Sequence, residues 1–121
     1  MKHLKRYIVP FNSTIKQAVS SLEDTRSHIV LVVSNQKLKG TITDGDIRRA
    51  ILKGEKLDSE VQKIMNKNFK FLRESATRKE ALALMNKEIL KQIPVLDKKG
   101  KILDLFLLDD LIKTKSLPNE V

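Results

Sequence analysis

The strongest constraint on the fold of this 121-residue chain is that it repeats itself. Thr14-Ile15-Lys16-Gln17 has the form of a capping box, in which a hydroxyl caps a helix and the third helical residue reaches back to the free amide. Thr77-Arg78-Lys79-Glu80 has the same form 63 residues later, and Ala18 and Leu22 match Ala81 and Met85 at the same offset. Internal self-similarity decides how every later motif is read, because each copy must bury its apolar face against something.

Ile15, Ala18, Val19 and Leu22 stand at i, i+3, i+4 and i+7, which predicts a helix with one buried face; Ala81, Leu82 and Met85 give a shorter stripe. After each helix comes an apolar run, Ile29-Val30-Leu31-Val32-Val33 and Ile93-Pro94-Val95-Leu96, read as strands buried on both sides. Polar turns follow, Ser34 to Lys37 and the one-residue-longer Asp97 to Gly100, leading into Leu38–Thr43 and Ile102–Leu107 to complete a hairpin. From there the offset is 64, so Asp46 matches Asp110 and Ile47 matches Leu111 at the start of a closing helix. Each half therefore reads β-α-β-β-α. Gly54 can end the first closing helix, and Ser59-Glu60-Val61-Gln62 opens a short one that turns Val61, Ile64 and Met65 inward.

The expected fold class is α/β (α+β), with residues 1–58 as the first repeat, 59–115 as the second and 116–121 as the start of a linker. A half of about sixty residues leaves much of its apolar face exposed, so the copies are expected to pack sheet to sheet with pseudo-twofold symmetry.

Composition removes several function classes. The net charge of +9 favours anionic partners, but it is spread evenly, +4 over the first sixty residues and +5 over the rest. The five aromatics mostly fall in apolar strand-like stretches instead of interleaving with cations, which argues against nucleic-acid binding. There is no cysteine, hence no disulfide, no thiol nucleophile and no sulfur-ligated zinc; no run of 18 apolar residues and no secretory signal is present, so a cytoplasmic protein without membrane insertion is expected. The four glycines match neither a Walker loop nor a dinucleotide fingerprint, the two histidines suggest neither a metal site nor a hydrolase triad, and no catalytic residue is assigned.

The segment Gly40-Thr41-Ile42-Thr43-Asp44-Gly45-Asp46-Ile47-Arg48-Arg49 runs from a buried strand into a helix. It resembles the Gly-x-x-Thr-x-x-Asp signature of the cystathionine β-synthase (CBS) domain, and the duplication over residues 4–113 resembles a tandem CBS pair, or Bateman module. The resemblance implies a non-catalytic regulatory module with clefts for adenosine ligands such as AMP, ADP, ATP or S-adenosylmethionine, controlling an attached or partner protein, and a homodimer.

The chemistry of the residues agrees with that resemblance. An ionised carboxylate is acceptor-only and can take both hydroxyl protons of a ribose cis-diol, which makes Asp46 the expected ribose clamp. Amides at the start of a helix favour phosphate, beside the Thr43 hydroxyl, and Arg48 or Arg49 could add charge-assisted bonds, although both cannot face the same way. Taken alone, Asp44 and Asp46 would read more simply as helix N-caps. The resemblance places adenine against Gly40, Thr41 and Ile42 and against the Lys70-Phe71-Leu72 strand, and places His28 and Lys91 near phosphates. In the second copy Asp104 replaces the glycine and Leu107 replaces Thr43, while Asp110 keeps the clamp position beside Asp109. Like charges there disfavour an anionic ligand, so one good and one degenerate site are expected.

The C-terminal stretch and the connector are similar to those of bacterial sugar-phosphate nucleotidyltransferases carrying an N-terminal CBS pair, which implies a catalytic domain beyond this chain. Two other readings compete: a structural dimerisation module whose ligand cleft is vestigial, and a basic nucleic-acid-binding domain.

Overall fold

The computed structural model describes residues 4–115, with side chains as far as residue 111; the expected linker at 116–121 lies outside the described residues. The chain divides into two compact units after Phe69.

In the first unit, β1 (Ile8–Pro10) lies parallel to β2 (Ile29–Ser34), which pairs antiparallel with β3 (Lys37–Thr43), in the order β1-β2-β3. Between β1 and β2 runs α1 (Ile15–Thr25), and β3 leads directly into α2 (Asp44–Leu52). The capping box that starts α1 is formed: the Gln17 N–H donates to Thr14 Oγ1 at 3.2 Å and the Thr14 N–H donates to Gln17 Oε1 at 2.8 Å. Asn35 and Gln36, both at positive φ, make the two-residue hairpin turn whose twist matches that of the flanking strands. Gly54, at φ 95, lies just past the end of α2. Val9, Ile15, Ala18, Leu22, Val30, Val32, Ile42, Ile47 and Val61 form one buried cluster, with Phe11, Ile64 and Met65 packed against it.

Residues 59–69, grouped with the second repeat by sequence, hydrogen-bond into the first unit. The Ile15 N–H donates to the Ser59 carbonyl and the Val61 N–H to the Ser13 carbonyl, each at 2.8 Å. Val61, fully buried in a short 3-10 turn over Val61–Lys63, anchors the segment to the first core. Further on, Thr41 and Asn66 exchange backbone hydrogen bonds at 3.0 and 2.8 Å, closing the edge of β3 that β2 leaves open.

The second unit repeats the topology with β4 (Leu72–Arg73), α3 (Arg78–Glu88), β5 (Gln92–Leu96), β6 (Ile102–Leu107) and α4 (Leu108–Lys115), in sheet order β4-β5-β6. Val9 pairs with Val32 and, 63 residues on, Leu72 pairs with Val95. The ladder irregularity between Val32 and Val33 recurs between Val95 and Leu96. The opening strand expected at Lys70-Phe71-Leu72 is instead Leu72–Arg73. Pro94 stands where Leu31 stands in the first copy and has no N–H to give the ladder, so the parallel register of β4 with β5 begins at Leu72 and Val95. Ala81, Met85, Ile93, Pro94, Val95, Leu96 and Leu105 are the buried apolar residues of this unit.

Candidate functional site

At the handover from β3 to α2, Thr43 is the N-cap and the third helical residue is Asp46. The Thr43 N–H donates to Asp46 Oδ2 at 2.9 Å, the Thr43 hydroxyl donates to the same oxygen at 3.1 Å, and the Asp46 N–H lies 3.4 Å from Thr43 Oγ1. This is a third capping box, built with aspartate where the other two use Gln17 and Glu80. Thr43 takes the cap position that sequence reasoning weighed for Asp44 and Asp46, which occupy the first turn. The pattern Thr-x-x-Asp was readable as a capping box, since a carboxylate three residues after a hydroxyl can close the same ring.

Arg49 Nη2 donates to Asp46 Oδ1 at 2.8 Å. The Asp46 side chain is only 17% exposed and that of Arg49 61%. Both line a cavity of about 510 Å³ with Ala50, Lys53, Glu55, Lys63, Ile64, Met65 and Asn66. Connector residues thus form one wall of the cavity. The apolar pattern there foretold Ile64 and Met65 but gave no sign of Asn66, whose place comes from its backbone pairing with Thr41.

Arg48 faces elsewhere, as the 100° step between neighbouring helical residues requires. It lines a cavity of about 720 Å³ between α1 and α2, together with Val19, Leu22, Arg26, His28, Asp44, Ile47, Ile51 and Leu52. His28, at φ 67, places Nδ1 2.8 Å from Asp44 Oδ2. The sequence-predicted cations therefore split: Arg49 joins Asp46, while His28 and Arg48 share the other cavity.

Gly40, Thr41 and Ile42 are buried, and Ile42 belongs to the core cluster. A β-carbon on Gly40 would meet Met65 Sδ at 2.6 Å and Cγ at 2.7 Å, so this glycine permits close packing of the connector on β3.

In the second unit, the Arg73 guanidinium lies 4.8 Å from the centroid of the half-exposed Phe71 ring. Leu72 is in β4, and the exposed Lys91 accepts the Leu108 N–H at its backbone carbonyl at 2.8 Å. Leu107 ends β6 without a hydroxyl to cap α4, and Asp109 and Asp110 occupy the first turn of that helix. Among the described residues no group of three or more His, Asp or Glu is placed to hold a metal ion, and no helix is long and apolar enough to cross a membrane.

The CBS domain family model matches residues 4–53 and 61–116, covering both copies. This chain belongs to the CBS domain family. Among curated CBS-containing relatives, arabinose 5-phosphate isomerase KdsD of Francisella tularensis is 32% identical over 108 residues, covering 88% of this chain and 33% of that protein. Across curated relatives such as this one the chain spans between 21% and 66% of their length. A CBS-domain protein from Burkholderia ambifaria has a TM-score of 0.81 at 26% identity, covering 95% of this chain and 85% of that one. The cytosolic domain of the Mg2+ channel MgtE, solved in complex with ATP, shares the fold at a TM-score of 0.74 and 21% identity, covering 90% of this chain and 45% of that one. The CBS pair here is thus mixed α/β, with one three-stranded sheet in each copy.

Proposed function

We propose that this CBS pair binds an adenosine nucleotide (AMP, ADP or ATP) at its first copy and regulates a catalytic domain through its occupancy. The observation that carries the reading is Asp46: a half-buried carboxylate at a strand-to-helix junction, lining a cavity whose volume falls in the roughly 300–1,000 Å³ range of small-molecule sites. Arg49, Lys53 and Lys63 in the same lining suit a phosphate, and the ATP complex of MgtE supports an adenosine ligand for this fold. Loss of the capping hydroxyl at Leu107 and the paired Asp109 and Asp110 support a degenerate second site.

The regulated domain is proposed to act on a phosphorylated sugar. The KdsD relative supports that substrate class; a nucleotidyltransferase is the finer form of the same proposal. Coupling of about 1–3 kcal/mol between occupancy and activity would suffice for regulation.

Isothermal titration of AMP, ADP and ATP into the wild-type chain and the Asp46→Ala variant tests the assignment. Binding weakened about tenfold or more by the substitution is expected; equal affinities remove Asp46 from the site, and no wild-type heat with any of the three removes the reading.

A second reading, a dimerisation module with a vestigial cleft, draws on the groove between α1 and α2. There Val19, Ile51 and Leu52 are exposed around the buried Leu22 and Ile47. It expects a homodimer by sedimentation whether or not nucleotide is present.

A further inference from the structure

We infer that Arg49 is a releasable cap on Asp46, and that the site therefore selects ligands carrying an anion beside a vicinal diol over the same diol without one. This deepens the ribose reading of Asp46 and rests on it. A carboxylate has about four acceptor positions. Three are filled here: Oδ2 takes the Thr43 N–H and the Thr43 hydroxyl, and Oδ1 takes Arg49 Nη2.

A diol that donates both its hydroxyl protons to Asp46 needs two acceptor positions and finds about one. The Thr43 N–H contact is held by the backbone, and the Thr43 hydroxyl is tied to the same helix start because its oxygen faces the Asp46 N–H at 3.4 Å. The Arg49 contact is the one that can yield, because its side chain is long and well exposed and reaches back across the first helical turn. Gly45 leaves the room for that reach: a β-carbon there would stand 3.1 Å from Arg49 Nη1.

Displacing Arg49 costs a charge-assisted hydrogen bond unless the ligand supplies a new anionic partner. A phosphate can do so, and Lys53 and Lys63 of the same cavity, set against the single further carboxylate of Glu55, add to its attraction. A neutral nucleoside offers no such compensation. Arg49 thereby opposes binding of the bare diol as well as favouring the phosphate, and a simple phosphate contact would do only the second.

Titration of AMP and adenosine into the 121-residue chain and its Arg49→Met and Arg48→Met variants separates these roles. Methionine keeps the length and helix preference of the side chain and removes the guanidinium. In the wild type AMP is expected to bind about tenfold or more tighter than adenosine. In Arg49→Met adenosine should tighten while AMP weakens, so that the two converge. Arg48→Met, changed in the other cavity, should leave the ratio as in the wild type. Adenosine binding unchanged or weaker in Arg49→Met, with AMP still bound by the wild type, overturns the cap while leaving the ribose reading in place. If Arg49→Met is unfolded by circular dichroism, Arg49→Gln provides the same comparison. Absence of wild-type binding of AMP, ADP and ATP alike sinks both; where ADP or ATP binds and AMP does not, the same comparison is made with that nucleotide.

Discussion

Arg26 and Ile89, 63 residues apart, end their helices in the same left-handed conformation, at φ 55 and 56. Each gives its backbone N–H to the carbonyl four residues back, Leu22 in one copy and Met85 in the other. Glycine is the usual occupant of such a position, since a β-carbon there crowds the backbone. Ile89 carries a β-branched side chain in that conformation and is 90% exposed, so the strain is not offset by packing. Ile89→Gly should stabilise the fold by about 0.5–1 kcal/mol, a net of relieved strain over added chain entropy, read as a Tm higher by a few degrees. Ile89→Ala keeps the β-carbon and should recover little of this. Equal midpoints for the glycine and alanine variants would refute the strain.

Gly40→Ala tests the opposite case, a glycine held by its neighbour. Its β-carbon would lie within 3.0 Å of Met65 Cβ, Cγ and Sδ, more than a shift of the flexible thioether end alone can relieve. A loss of about 1–3 kcal/mol in urea denaturation is expected. Combining it with Met65→Ala should cost less than the two single losses summed. Additive losses would place the strain elsewhere than at this contact.

Gly45→Ala should do the reverse. Gly45 lies in the first turn of α2 at ordinary helical φ, and its nearest new contact is the end of the movable Arg49 side chain. Helix preference then decides, at about 0.5–1 kcal/mol in favour of alanine. A lower Tm for this variant would mean that Arg49 is fixed more firmly than its exposure implies.

The contrast among these glycines marks where the sequence was legible. Periodicity and the capping pattern located α1, α3 and the hairpins, because those elements are set by local chemistry that recurs at a constant offset. The second opening strand moved, and it did so opposite Pro94, which has no donor to give the parallel ladder. The candidate site was proposed from a string, Gly40 to Arg49, whose partition between two cavities the string does not carry. That Arg49 meets Asp46 while Arg48 meets the groove with His28 depends on where α2 sits on the sheet. The connector's role depends on tertiary pairing between Thr41 and Asn66, for which neither residue carries a pattern.

The two matched capping boxes also differ in whether the third residue can titrate, which gives the last prediction. In α1 the third residue is Gln17; in α3 it is Glu80, whose carboxyl is held below its ordinary value of 4.5 by the Thr77 backbone N–H and, secondarily, by the Thr77 hydroxyl. A carboxylate lowered on folding adds stability above its unfolded value, and that contribution fades as pH falls through the folded one. Asp97 behaves alike: its carboxyl is lowered first by the Lys101 N–H, with Lys99 also donating to it in the β5–β6 turn. Glu80→Gln preserves the box in the form that α1 already uses, and removes only the titration. The variant should therefore be less stable than wild type at pH 7 and approach it at pH 3, in urea unfolding at the two pH values. A difference that stays constant between them would mean that the Thr77 contacts do not favour the charged form.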